Sequence, residues 1–330
     1  MKRFFALMLA ILMVASLCAC KKDEGATKSY PVMTDMVMRY GSGDETREVK
    51  TEIEYDDAFN IVGYKMYMDG KLYTEGTLDG AFNRPLLEKD YGEDGTVEYT
   101  TTYTYDANGN ELSSTRKDKD GALVWANVYT YTAEGWLATE EWDYGEDETD
   151  WTKYTYDSHG NKISLKSGSG EEIWSEYTYE NTYSGDKLTE VKSYRDGVLQ
   201  ELFRYDADGN QILEVSYNSE GEETYRCEET YQNGKIMLVV SAWGVEEESR
   251  REYIYNDAGN VIEIRYTETY MEETSESKTL ITYDNGVIVS VKEYDNGELE
   301  SEYVYNYKTE TMSKEQADKL AEFYSSMVRG

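Results

Sequence analysis

A ten-residue pattern recurs along this chain and decides what it can fold into. At Tyr103–Leu112 it reads Tyr-Thr-Tyr-Asp-Ala-Asn-Gly-Asn-Glu-Leu. Two tyrosines at spacing two stand on one face of a strand, and Asp-x-x-Gly-Asn reverses the chain so that Leu112 opens the return strand. The unit is a β-hairpin. Close copies stand at Tyr154–Ile163, Phe203–Ile212 and Tyr253–Ile262. In these turns Asp106, Asp157 and Asp206 cap the reversal with their side chains. Gly109, Gly160, Gly209 and Gly259 supply the residue with φ > 0, and Asn110, Asn161, Asn210 and Asn260 follow it.

Taking the residue before each turn as anchor gives Tyr55, Leu78, Tyr105, Tyr131, Tyr156, Tyr179, Tyr205, Tyr231, Tyr255, Tyr283 and Tyr305, about 25 residues apart. A period in the twenties marks a repeat array. A second turn signal lies midway, as at Asp69-Gly70, Asp120-Gly121, Asp196-Gly197 and Asn296-Gly297, so each repeat holds two strands and two turns. Tyrosine and aliphatic residues alternate with Thr, Ser, Glu and Lys, the pattern of an antiparallel meander with one buried side. The expected fold is all-β: about ten hairpin repeats over residues 51–310 forming a twisted or spiral sheet, because a flat one would expose its aromatic face. Met33–Met38 fits either a first strand or a segment packed over the first edge. From Ser313 the period becomes helical. Ser313-Lys-Glu-Gln316 reads as a capping box, followed by Ala317, Leu320, Ala321, Tyr324 and Met327, so residues 311–330 are expected to form a helix capping the last edge strand and the open end of the apolar interior.

Thirty-three tyrosines, two prolines and a formal charge of −34 describe a folded, β-rich, anionic chain, not a disordered one. With so large an excess of negative charge, no nucleic-acid partner is expected. Lys2 and Arg3, the apolar run Phe4–Leu17 and the small residues before Cys20 read as a secretory leader over residues 1–19. The run Leu17-Cys18-Ala19-Cys20 resembles the lipobox of bacterial lipoproteins, which implies a lipidated Cys20, a tether over residues 20–50 and an extracytoplasmic, membrane-anchored address. Cys227 is then left alone, so no disulfide framework forms, and its spacing from Tyr225 reads as a small buried hydrophobe.

The repeated Tyr-x-Tyr-Asp-x-x-Gly-Asn hairpins resemble the YD repeats of the Rhs/YD-repeat family over about residues 53–307. That resemblance implies a β-sheet shell or an extended surface scaffold. Tyr64–Gly80 is similar, more weakly, to MORN-like hairpins. No recognisable autoproteolytic segment or toxin domain accompanies the repeats, so the resemblance speaks to fold and not to activity. His159, the single histidine, occupies a variable turn position, and no Ser-His-Asp, Cys-His or zinc constellation can be assembled. Neither an enzyme nor a cofactor is expected. The alternating oxygens of the Asp-x-x-Gly-Asn turns allow weak divalent-cation binding as a lesser alternative to turn capping, since they lack the length of an EF-hand loop. Trp136 and Trp142 fall on the face opposite Leu137 and Thr139 and are the expected exposed contact patch. The functional expectation is a non-enzymatic cell-surface scaffold that binds a protein or glycan. The alternatives are a wall-polysaccharide module using exposed aromatics and the remnant of a toxin-delivery shell.

Overall fold

The computed structural model describes residues 28–320 apart from 42–45, 81–83, 146–148, 245–246 and 272. Cys20 and the leader therefore lie outside the described residues, as do Ala321, Tyr324 and Met327. The chain forms two compact units, one of residues up to 96, 253–265 and 277 onward, the other of residues 97–252 and 266–276.

The first unit contains β1 (Lys28–Tyr40), β2 (Arg47–Tyr55), β3 (Ile61–Met68), β4 (Lys71–Asp79) and β5 (Arg84–Tyr91). The second contains β6 (Val97–Tyr105), β7 (Glu111–Asp118), β8 (Leu123–Tyr131), β9 (Leu137–Asp143), β10 (Asp150–Tyr156), β11 (Lys162–Ser169) and β12 (Glu172–Ser184). It continues through β13 (Lys187–Arg195), β14 (Val198–Tyr205), β15 (Gln211–Tyr217), β16 (Glu223–Gln232) and β17 (Lys235–Trp243). Next come β18 (Glu247–Tyr255), β19 (Val261–Tyr270) and β20 (Glu273–Asp284), which the unit boundaries cut, and then β21 (Val287–Asp295) and β22 (Glu298–Met312) of the first unit.

Within each unit successive strands pair antiparallel, as the hairpin code demands. A β-bulge falls immediately before the anchor residue in repeat after repeat, at Glu54/Tyr55, Thr104/Tyr105, Thr130/Tyr131, Thr155/Tyr156, Arg204/Tyr205 and Thr230/Tyr231. The bulge corrects one anchor. In β12 it lies at Thr182/Tyr183, so Tyr183 and not Tyr179 holds that place.

The expectation of an open or spiral sheet is also corrected in the first unit. Strand β1 pairs along one side with β2 (Asp35–Tyr40 against Arg47–Glu52) and along the other with β22 (Lys28–Tyr40 against Ser301–Met312). The Met33–Met38 stretch is thus a strand, and through it the first and last hairpins of the array are hydrogen-bonded to one common partner. The last strand has no free edge there for a helix to cover, because its second edge is already paired with β1. The helix instead serves the other part of the expectation and packs on the apolar interior. Residues 314–320 are helical, and Ser313 and Gln316 form the reciprocal cap: the Ser313 N–H donates to Gln316 Oε1 at 3.0 Å and the Gln316 N–H to Ser313 Oγ at 3.3 Å. Gln316 Nε2 then donates to the Ala58 carbonyl at 2.8 Å. Ala317 and Leu320 turn inward onto Val32, Met33, Ile61, Ile288 and Met312 of the apolar core. Each fully buried side chain of that set, such as Ile61 or Ile288, contributes ~1.5–3 kcal/mol.

The second unit buries different chemistry. Beside Leu202, Val215 and Cys227, its buried residues include Thr101, Ser114, Thr152, Ser169, Ser193, Ser241 and Ser249. Small hydroxyl side chains let the tyrosine rings lie close over neighbouring strands while their own oxygens find partners, as Ser193 does in donating to Glu201 at 3.0 Å.

Candidate functional site

The Asp-x-x-Gly-Asn turns are built by the aspartate. Asp106 Oδ1 accepts the N–H groups of Asn108 and Asn110, both at 2.8 Å, and Oδ2 accepts from Asn110 Nδ2 at 3.0 Å. Gly109, at φ 94°, closes the reversal by donating to the Asp106 carbonyl. Asp206 and Asn210 repeat this set around Gly209 at φ 88°. Partial burial pushes the Asp106 carboxyl up, but the bonds from Asn110 and the turn amides outweigh it and hold the group low. The same five-residue turn forms at Asp118–Ala122 and Asn218–Glu222, so both ends of the hairpins use it, with Asp or Asn as the capping residue. At Asp56–Asn60 it forms without glycine, and Phe59 takes the left-handed position at φ 62°. In the fourth copy Asn256 Oδ1 accepts from the Asn260 N–H, and Gly259 stands at φ 86°. Among the described residues no three His, Cys, Asp or Glu side chains converge as metal ligands.

The Asp157 turn is drawn into a wider network. Asp157 Oδ2 accepts from the Tyr183 hydroxyl at 2.5 Å and from Asn181 Nδ2 at 3.0 Å, both reaching over from β12, while Asn161 Nδ2 donates to the same Tyr183 oxygen at 2.7 Å. Burial raises the Asp157 carboxyl, yet Tyr183, Asn161 and Asn181 together lower it to about 2. His159 stacks on the Tyr183 ring at 4.4 Å, and Gly160 (φ 85°) lies under the edge of Trp136, where an added Cβ would come within 3.0 Å of the indole. His159 is thus part of the packing of this turn.

Sequence reasoning missed the role of the anchor tyrosines. The hydroxyls of Tyr131, Tyr156 and Tyr283 donate to the carbonyls of Glu111 (2.8 Å), Leu137 (2.7 Å) and Val261 (3.0 Å), each the first residue of the preceding hairpin's return strand. Tyr307 donates to Ile288, the second residue of β21, at 2.8 Å, which makes Tyr307 and not Tyr305 the last anchor. The signal was the recurrence of tyrosine where phenylalanine would have packed equally well. Also missed were carboxylates on the tyrosine face. Glu140 stands opposite Tyr129, and Glu214 lies in one cross-strand row between Phe203 and Cys227. Burial first, then the neighbouring Glu201 and Glu229, push the Glu214 carboxyl above its ordinary range.

Trp136 and Trp142 are both half-buried and do not form an exposed patch. Trp136 sits just before β9 with its ring 5.4 Å from Tyr156. Trp142 pairs with Asn127, two residues from Tyr129, so it lies on the tyrosine face; the face opposite Thr139 is the packed one. The exposed tryptophans are Trp174 (51% exposed) and Trp243 (40%).

The opposite face is regular and open. Exposed cross-strand hydroxyl pairs, Thr104 with Ser113 (2.7 Å), Thr130 with Thr139 (2.7 Å) and Thr155 with Ser164 (2.6 Å), occupy the same place in three successive repeats. Ion pairs such as Lys65–Glu54 (2.6 Å), Lys166–Glu176 (2.8 Å) and Lys292–Glu302 (3.1 Å) fill comparable positions. Such exposed pairs add little stability, ~0–1 kcal/mol each, and present alternating donors and acceptors to whatever meets them.

No protein-family model and no curated protein matches the chain. Among solved structures it is similar to a chain of the Photorhabdus luminescens Tc holotoxin pore, at 14% identity and a TM-score of 0.37 over 76% of this chain and 16% of that one. It is similar to a chain of a TcdB2–TccC3–Cdc42 complex at 12% identity and a TM-score of 0.36, covering 84% of this chain and 19% of that one. A porin-like protein from Bacteroides uniformis, at 11% identity and a TM-score of 0.31, covers 84% of this chain with 98% of its own length. The chain thus spans 16% and 19% of the length of the first two.

Proposed function

We propose that this chain is a non-enzymatic, lipid-anchored cell-surface scaffold whose open sheet face meets a protein or a glycan. The observation that carries this reading is the division between the two faces. The tyrosine face is consumed by packing and by hydroxyl-to-carbonyl bonds, while the other offers ordered hydroxyl and ion pairs that do little for the fold. The anchor follows from the lipobox-like Cys20. A chain spans at most ~3.3–3.6 Å per residue, so lipid on Cys20 would hold Lys28, where β1 begins, within about 30 Å of the membrane surface. Lys28 pairs with Met312, and β1 runs beside the hairpin end that carries the Asp56–Asn60 turn. That end of the first unit would face the membrane.

The test is retention of residues 21–330 on purified cell-wall polysaccharide and on surface-protein extracts, at low and high salt. Retention on polysaccharide that survives salt supports a glycan partner. Retention only on protein that falls steeply with salt supports a protein partner for the acidic surface. Retention on neither refutes the scaffold reading.

A further inference from the structure

On the open face of the first unit, Lys50 of β2 and Tyr67 of β3 stand directly opposite one another, with Glu48 and Glu52 flanking Lys50 at spacing two. Together with Gly70 they line a recess of about 220 Å³. Its rim is fixed in place. Asp69 (φ 48°) and Gly70 (φ 79°) form a two-residue hairpin turn of the type that matches strand twist. The Asp69 N–H donates to the Glu48 carbonyl at 2.8 Å, and Asp69 Oδ1 accepts the Glu48 N–H at 2.9 Å.

The charges in the recess are compensated in pairs: Glu48 with Arg39 at 3.0 Å, and Glu52 with Lys50 at 2.7 Å. The bond from Lys50 holds the Glu52 carboxyl low, and the Glu52 bond holds the Lys50 ammonium high, so both stay ionised at neutral pH. Burial, and then Glu52, to which its hydroxyl is hydrogen-bonded, raise the Tyr67 phenol, which keeps its proton. The recess therefore offers carboxylate acceptors, an ammonium donor and one half-buried aromatic ring; Arg39, Glu48, Lys50 and Glu52 compensate one another, and Asp35, opposite Glu52, adds a negative charge beside them that disfavours an anion. Its volume is below the ~300–1,000 Å³ of sites for drug-sized ligands. The chemistry that satisfies it is a small, neutral, ring-shaped compound bearing adjacent hydroxyls.

We propose that this recess is a carbohydrate subsite that takes one neutral pyranose unit, with the rest of the glycan running over the open face. The proposal rests on the glycan arm of the proposed function and names its contact point. Vicinal hydroxyls would donate to Glu48 and Glu52, Lys50 would donate to a ring or hydroxyl oxygen, and the Tyr67 ring would lie against the sugar's apolar edge.

The test is saturation-transfer NMR and calorimetry of residues 21–330 with the methyl glycosides of glucose, galactose and mannose, and with N-acetylglucosamine. It is run on the wild type and on Lys50→Met, Glu52→Gln and Tyr67→Ala, each checked for an unchanged melting temperature. The expected result is weak binding of at least one sugar, reduced at least tenfold in every variant that keeps its melting temperature. Tyr67→Phe, which keeps the ring, should lose less than Tyr67→Ala. Binding that the variants leave untouched, or no binding of any of the four sugars while the wild type is still held on wall polysaccharide, overturns the subsite and leaves the glycan reading standing. A wild type held on no polysaccharide overturns both.

Discussion

The bond from each anchor tyrosine to the neighbouring hairpin can be removed almost without touching anything else. Tyr131→Phe, Tyr156→Phe, Tyr283→Phe and Tyr307→Phe keep the ring and its packing and delete one oxygen apiece. Each deleted hydroxyl donates to a main-chain carbonyl at 2.7–3.0 Å. The net loss is about 1 kcal/mol per site, approaching ~1–3 kcal/mol where the abandoned carbonyl stays dry. The sites lie in different hairpins, so their effects should add to within a few tenths of a kcal/mol, roughly 4 kcal/mol for the quadruple variant. For units of this size each kcal/mol lowers Tm by about 2–4 °C. Tyr131 and Tyr156 belong to the second unit, and Tyr283 and Tyr307 to the first. If calorimetry resolves two transitions, each pair should move its own. Tyr144→Phe, at a position 56% exposed, serves as a control and should fall within ~0.5 kcal/mol of wild type. Four phenylalanine variants that melt with the control would refute the claim that these hydroxyls join one repeat to the next.

Gly76 lies beneath the ring of Tyr64, and an alanine Cβ there would sit 2.2 Å from that ring, whose hydroxyl is held by Glu88 at 2.5 Å. Gly76→Ala should therefore cost ~1–3 kcal/mol or more in urea melts, whereas Gly121→Ala, which meets no atom within 4 Å, should show only the strain of its φ of 82°. Asp157, lowered to about 2 against an ordinary value of 3.8, contributes stability that is present above pH ~4 and is lost as pH falls toward 2. Allowing for solvent screening this is on the order of 1 kcal/mol, and Tyr183→Phe should remove part of that acid dependence in melts from pH 5 to pH 2. Glu214 carries the opposite sign. Its raised carboxyl costs stability once pH exceeds its unfolded value, so Glu214→Gln should raise Tm at pH 7 and lose its advantage near pH 4.

The hairpins and their turns were legible because a strand's period of two and the Asp-x-x-Gly-Asn reversal are both local. What local pattern cannot settle is register where tyrosines continue at even spacing. Tyr177, Tyr179 and Tyr183 in β12, and Tyr303, Tyr305 and Tyr307 in β22, all satisfy the same alternation, and only the bulge or the hydroxyl's acceptor picks out Tyr183 and Tyr307. The pairing of β1 with β22 was out of reach for a related reason. It joins residues about 270 apart, and no local pattern connects them. Strict alternation from an inward Leu137 places Trp142 on the open face. The bulge between Thr130 and Tyr131 shifts Leu137 out of step with Thr139, so Leu137 is no guide to the face on which Trp142 lies. The recess at Lys50 and Tyr67 had no sequence signature, since its members come from two strands and a turn whose register had to be known first.

The scaffold function requires that the open sheet face, and not the tyrosine face, meets the partner. A photo-crosslinking residue placed at Thr104, Thr130 or Thr155, exposed on the open face, or at Tyr129 or Tyr154 on the packed face, would be expressed in the full-length chain and irradiated on intact cells. Covalent adducts from the threonine positions and none from the tyrosine positions are the expected result. Adducts from the tyrosine positions alone, or from neither set, would contradict the account.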